Sequence, residues 1–464
     1  MKHNKLIVVT VLGVGLTATG LAAEISDADL AALKQQIADL DQKVRILQRE
    51  RENDGDAAAT AAKAVPKISI GANGFSFGSA DSNFVAQLHA VIQTDTRTFF
   101  DAGNAKGEDG FLLRRARPIF SGTVFHDYDF MFVPDFGGST VQIPDAYVTY
   151  RYAPEFQVQV GKQKSPVGLE HLQSDRDIWF NERSLATDLV PNRDLGVLLK
   201  GDLFSGAISY AAGVFDGASD YNGTTTNTYS QNDPAFVARL FFQPWKNSDV
   251  NALRGLGFGV GGSYELDNPN TNYATGLTPG YTTDGQQKFF TYNKGVFADG
   301  KHWRVAPQAS YFYGPFGLLG EYTVTDQRIS NGKNVTSVNN NAWEISGSWL
   351  LTGEDASYTA ITPQHNFDPR VNHWGAFQEV ARYAELNVDD NVFTSGLASS
   401  KTSADGAQAW AVGLNWYLNK NIRADLSFSH TTFNGYTGGT PTAGNYVVSA
   451  QSESTLFTRI QLAF

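Results

Sequence analysis

The sequence predicts an all-β protein, a transmembrane antiparallel β-barrel of about 16 strands preceded by a short coiled-coil helix. Apolar and polar residues alternate in stretches of about ten residues from Phe84 to the end, the length a tilted spanning strand needs. The connections between stretches alternate between short and long, and the chain ends on an aromatic residue, Phe464. A soluble sandwich also alternates, but it does not string so many strands into one series with this rhythm of turns.

The first 23 residues read as a signal peptide. Lys2 and Lys5 give a positive start, an apolar stretch runs from Leu6 to Leu21, and Ala22 and Ala23 offer a small-residue cleavage site. No later run of about 18 apolar residues follows, so no spanning helix is expected after cleavage. Residues 24–52 read as a periplasmic coiled coil, because Leu30, Leu33, Ile37, Leu40, Val44 and Leu47 repeat at alternating spacings of three and four. An amphipathic helix packed on its own domain has the same pattern. Residues 53–83 read as an alanine-rich linker and a short strand segment.

The barrel is expected over 84–464. In Phe84 to Gln93 the even positions are mostly apolar and the odd ones mostly polar. Phe156, Val158 and Val160 alternate with Gln157 and Gln159. After the turn Asn419–Asn421, Ile422, Ala424, Leu426 and Phe428 share one face, and Arg423, Asp425, Ser427 and Ser429 the other. In the last stretch, Leu456, Ile460, Leu462 and Phe464 lie opposite Arg459, Gln461 and Ala463. Short turns fall at 125–127, 153–155, 314–317 and 419–421, where the periplasmic side is expected. Long connections fall at 101–110, 164–192, 267–301, 387–405 and 434–449. The stretch 353–371 breaks the rhythm, being long where a short turn is due.

Composition narrows the function. Glycine (45) and Phe (31) are abundant and Met (2) is scarce, which suits turns and aromatic girdles better than helical cores. A net charge of −11 argues against a nucleic-acid binder. The absence of cysteine excludes disulfides, thiolate metal sites and cysteine nucleophiles. The histidines are scattered, with no zinc-binding spacing, and no phosphate loop or dinucleotide fingerprint occurs, so neither a cofactor nor an enzyme is expected. Gly74-Phe75-Ser76-Phe77-Gly78 matches the nucleophile-elbow pattern but sits in a strand-like stretch, without the following helix an elbow needs.

The candidate chemistry is basic. Arg97, Arg114, Arg115, Arg117, Arg151, Lys162, Lys164, Arg176, Arg183 and Lys200 crowd one region. Guanidinium forks suit oxyanions, because one plane binds two oxygens at once. Arg115 and Arg117 share a strand face, with Arg114 opposite, so Arg114 would reach the same space only from a loop position. Asp127, Asp129, Asp135, Asp145, Glu170, Asp175, Asp177, Glu182 and Asp194 lie in the same region and could pair with these arginines.

Several segments resemble, in order, the phosphate- and pyrophosphate-selective porin family: Leu113-Arg114-Arg115-Ala116, Asp145 to Tyr150, Gly168-Leu169-Glu170 with Glu182-Arg183, Leu351 to Glu354, Arg382-Tyr383 and Gly413 to Tyr417. The resemblance covers the chain from about Phe84 onward. It implies a homotrimer of 16-stranded barrels in the outer membrane, in contact with lipid and lipopolysaccharide, with 164–192 folded inward as a constriction loop. It also implies a pore lined by Arg114 and Arg115, with His171 and Arg176 at positions where family members carry lysines. The family's pore acid lies on the strand of Asp145, displaced here by one residue, which reverses its face. The expected function is a porin for passive diffusion of small anions, phosphate or polyphosphate, through a constriction containing Arg114, Arg115, Arg117, Lys164, His171, Arg176 and Arg183. A general or organic-solute porin is the alternative. His171 is a weak substitute for lysine, since it carries charge near neutral pH only if acids such as Glu170 or Asp175 raise its pKa.

Overall fold

A computed structural model describes residues 27–100, 107–138, 140–218, 234–267, 280–435 and 452–464, leaving aside the side chains of 57–64. The expected signal peptide lies outside the described residues. The chain divides into a unit ending at Val65 and a second unit, Pro66–Phe464.

Helix α1, Asp27–Ala64, begins with Asp27 and Asp29 in its first turn, where acidic groups complement the helix dipole. It runs past 52 through the alanine-rich stretch expected to be a linker. Alanine is the strongest helix former, and no proline intervenes before Pro66. The whole heptad seam is exposed in the single chain: Leu33 is 55% accessible and Leu47 is 64%.

Sixteen strands form the barrel: β1 Val85–Phe99, β2 Gly110–Val124, β3 Tyr128–Asp135, β4 Gln142–Ala153, β5 Phe156–Lys164, β6 Arg193–Leu203, β7 Ile208–Phe215 and β8 Ala235–Phe242, then β9 Gly257–Asp267, β10 Phe297–Tyr313, β11 Phe316–Ser330, β12 Val335–Leu350, β13 Ala376–Asn387, β14 Gly406–Tyr417, β15 Ile422–Asn434 and β16 Ser452–Ala463. Each pairs antiparallel with the next. β16 closes the ring on β1, with Thr455 opposite Phe99 and Ala463 opposite Val91. Closure leaves no edge with unpaired backbone groups in lipid, which is why a sheet can cross a membrane only as a barrel.

The two faces are the reverse of a soluble barrel. Arg304, Glu321, Glu344, Arg382, Arg423 and Arg459 are buried inside, while Leu318, Trp349, Val412 and Ile460 are exposed outside. Among the described residues no helix is long and apolar enough to cross a membrane.

Two local features depart from the expected layout. The stretch before the barrel is a hairpin, Lys67–Gly71 paired with Gly74–Gly78. Its second arm pairs Phe75 to Gly78 with Leu88 to Val85, extending the edge of β1 where β16 ends. Gly74 turns the hairpin at φ +84°, and a Cβ there would sit 2.4 Å from the Leu88 carbonyl oxygen. The serine of the elbow pattern is thus an ordinary strand residue. Phe75 packs edge-on against the terminal Phe464 at 6.1 Å.

The long connection 351–375 turns back into the barrel from the short-turn end. Ala356 N donates to the Gly314 carbonyl at 2.7 Å, and the Tyr358 hydroxyl donates to the Leu169 carbonyl at 2.5 Å. Tyr358 is a prop under the constriction loop, which accounts for the length of this connection. From the long-loop end, Leu185, Ala186 and Leu189 join Tyr281, Phe289, Phe290, Val392 and Leu397 in an apolar cluster.

Candidate functional site: an arginine-lined constriction

The loop between β5 and β6 folds into the lumen, and interior polar groups of the wall hold its backbone. Glu321 on β11 accepts from Leu169 N at 2.5 Å, at the start of the short helix α2, Leu169–Leu172. Arg382 on β13 donates to Glu170 Oε1 at 3.1 Å, the Glu182 carbonyl at 3.1 Å and Asp284 Oδ2 at 2.9 Å. Its guanidinium also lies 4.5 Å from the Phe180 ring centre. Asn415 donates to the Trp179 carbonyl at 2.9 Å, Gln93 to that of Asp175 at 3.0 Å and Gln461 to that of Arg176 at 3.0 Å. Within the loop, Glu170 Oε2 accepts from Ser184 N, Ser184 Oγ and Thr187 Oγ1 at 2.7, 2.8 and 3.0 Å. Glu170 is therefore a brace of the loop.

Arg114 sits inside β2, not in a loop. The ladder between β1 and β2 slips there: Gln93 faces Arg115, Thr94 faces Leu113, and Arg114 is the extra residue. Such a β-bulge locally breaks strict alternation and re-aims a side chain. Arg114 and Arg115 consequently both reach the lumen, together with Arg117.

Two loop carboxylates gather these arginines. Glu182 accepts from Arg114 Nε and Nη2 at 2.6 and 2.9 Å and from Arg97 Nη2 at 2.8 Å. Asp175 accepts from Arg117 Nη1 and, at 2.5 Å, from Arg183 Nη1. Arg115 Nη2 stands 3.5 Å and Arg193 Nη2 3.6 Å from the same carboxylate. Burial alone would raise the pKa of Asp175, but Arg115, Arg183 and Arg117 outweigh it and hold the group well below the ordinary carboxylate range. Glu182 is held low in the same way, its burial outweighed by Arg114 and Arg97. Arg97 Nε and Arg115 Nε are buried donors without an acceptor among the described residues.

The other expected residues have different surroundings. Lys164 spends its ammonium on the carbonyls of His171 and Gln173, at 2.7 and 2.8 Å, which fixes the loop's entry. His171 lines the cavity and its Nε2 donates to the Asn192 carbonyl at 3.0 Å. Burial first, then Lys164, Arg183 and Arg193, push its pKa well below the ordinary value of 6.5. His171 is therefore neutral at neutral pH and adds no positive charge; the arginines beside it overrule Asp175. Arg176 is 43% exposed along its side chain and pairs with Asp177 at 3.2 Å. Asp145 faces the lumen, accepting from Arg193 Nε at 3.2 Å. Arg193 was not among the expected residues; its only signal in the sequence is its place directly after the constriction loop.

Two cavities flank the loop. One of about 440 Å³ on the long-loop side is lined by Arg97, Arg114, Arg115, Arg117, Arg183 and Arg193, with Asp135, Asp175 and Glu182 as its carboxylates. One of about 650 Å³ on the short-turn side is lined by Arg117, Lys164, Arg176, Arg193, Lys200 and Arg239, with Asp145, Asp175 and Asp202. Arg117, Asp175 and Arg193 line both and mark where the cavities meet.

Comparison with known proteins agrees with this architecture. The profile of the family described as phosphate-selective porin O and P matches residues 87–464. Porin O of Pseudomonas aeruginosa is 21% identical over 385 residues, covering 76% of this chain and 84% of that protein. The outer membrane channel DcaP of Acinetobacter baumannii superposes with a TM-score of 0.53 at 12% identity, covering 84% of this chain and 99% of that one. OmpF of Salmonella typhi, in complex with daunomycin, superposes at 0.51 and 12% identity, covering 86% and 100%. The closed barrel, the inward loop and the match over most of the chain make this protein a channel of the outer membrane and not an enzyme, and it belongs to the phosphate-selective porin O and P family.

Proposed function

We propose that the barrel is a passive pore that favours small anions, phosphate among them, over cations. The observation that carries this reading is the charge of the passage. Each cavity has six cationic side chains against three carboxylates, in a chain whose net charge is −11. Positive groups in a narrow, low-dielectric passage attract anions and replace part of their hydration shell. Phosphate suits the planar donors of Arg115, Arg117 and Arg193. The pairing of Arg97, Arg114, Arg117 and Arg183 with loop carboxylates favours a milder preference than strict phosphate selectivity. It also supports the second reading, an organic-solute porin on the same scaffold.

The test is a planar bilayer with a salt gradient, followed by added phosphate. An anion-selective reversal potential with phosphate reducing chloride current is the expected result. No conductance, or a cation-selective potential, overturns the reading. Anion current indifferent to phosphate leaves the general porin.

We further propose a homotrimer, with the exposed seam of α1 packed against those of two other copies and the apolar outer wall in lipid and lipopolysaccharide. An uncovered heptad seam of this length is what parallel association buries; Ile37 and Val44 at a with leucine at d lean towards two strands, so the number three rests on the family and not on the seam. Sedimentation equilibrium in detergent is expected to give three chains per particle; a single chain overturns the trimer.

A further inference from the structure

Asp175 stands at the junction of the two cavities and is reached by arginines from three elements: Arg115 and Arg117 on β2, Arg193 on β6 and Arg183 on the loop itself. It is 6% exposed, and Gln93 fixes its backbone carbonyl at 3.0 Å. Its carboxylate thus fills the place where the donors of four guanidiniums converge. A small oxyanion needs that same set of donors.

On the anion-pore reading above, we propose that Asp175 is the resident anion of the constriction and the residue that sets its selectivity. A permeating phosphate or carboxylate exchanges with the Asp175 side chain on these arginines instead of adding to it. Without Asp175, Arg117 would keep Asp135 and Arg193 would keep Asp145, but Arg115 and Arg183 would lose the carboxylate they pair with. That excess positive charge in a narrow passage would hold an anion too long for conduction, because a channel must bind weakly enough to release. A tethered carboxylate competes at a high effective concentration and lowers the affinity of every free competitor. Glu182 plays the same part for only two arginines, Arg97 and Arg114, on the long-loop side.

Asp175→Asn keeps the shape and the backbone contact while removing the charge. In bilayers, phosphate is expected to block chloride current at about tenfold lower concentration than in the wild type, the order of one charged hydrogen bond. The anion-to-cation permeability ratio is expected to rise. Glu182→Gln is expected to shift the block less. Asp175→Ser serves as a second neutral variant. If the wild type is anion-selective and both neutral variants match it in phosphate block, this proposal fails while the anion-pore reading stands. If the wild type is not anion-selective, the anion-pore reading fails first. Failure of both variants to form a barrel would make Asp175 a structural tie and would also overturn the proposal.

Discussion

Arg382→Met is expected to unseat the constriction loop and raise single-channel conductance severalfold. Arg382 is buried and binds Glu170, Asp284 and the Glu182 carbonyl at once, with Phe180 stacked on its plane. A methionine fills the volume but leaves two carboxylates buried without their cation. Removing one partner of a buried ion pair costs about 3–5 kcal/mol, because the remaining charge is left uncompensated. That is a large share of what holds an inward loop in place. The loop's alternative is to swing out of the lumen, where Glu170 regains water. Arg382→Lys keeps the charge but not the fork, so an intermediate conductance is expected. Single-channel recording checks this: a wild-type conductance in Arg382→Met would show that the loop is seated without this side chain.

The second large effect concerns the closing seam. Asp95 on β1 and Arg459 on β16 are both fully buried and paired through two bonds of 2.7 Å. Arg459 also faces Asp425 across the ladder, and Asp425 pairs with Arg423 at 2.8 Å. Charges therefore alternate in a belt across β1, β16 and β15. Arg459→Leu leaves Asp95 buried and unpaired, and a loss of about 3–5 kcal/mol of barrel stability is expected. Asp95→Leu combined with Arg459→Leu removes both charges and should recover most of the loss, since Asp425 keeps Arg423. Urea unfolding followed by circular dichroism measures both. Equal destabilisation of the single and double variants would contradict the ion-pair account.

These effects show how far a sequence carries. The barrel was readable because its signal is local: polar and apolar residues alternate from Ile422 to Ser429 in β15 and from Arg459 to Leu462 in β16, and lipid demands that alternation. The inward loop was readable as a long connection between Lys164 and Arg193. The reach of Arg114 was not, because a one-residue bulge has no side-chain signature and inverts the parity argument. The roles of Asp175 and Glu182 were hidden for another reason. Arg117 lies 58 residues from Asp175, and Arg114 lies 68 from Glu182, so spacing along the chain says nothing of either pairing. The alanine-rich stretch beyond 52 reads as a linker by complexity and as a helix by propensity, and the helix continues through it to Ala64. The resemblance implies anion binding by His171, but its burial in the folded loop keeps it neutral, helped by Lys164 and Arg193 at the loop's two ends and Arg183 within it.

The inward turn that carries Tyr358 has a consequence for the order in which a nascent chain can become selective. Tyr358 meets Leu169 across 189 residues of sequence, and Arg382 meets Glu170 across 212. Ordering a loop against partners so distant carries a loop-closure cost that local hairpins of the wall do not. The wall can be laid down hairpin by hairpin, but the filter needs pieces from both halves of the polypeptide. Selectivity is thus a property of the finished chain: no stretch that stops short of Arg382 contains all of its parts.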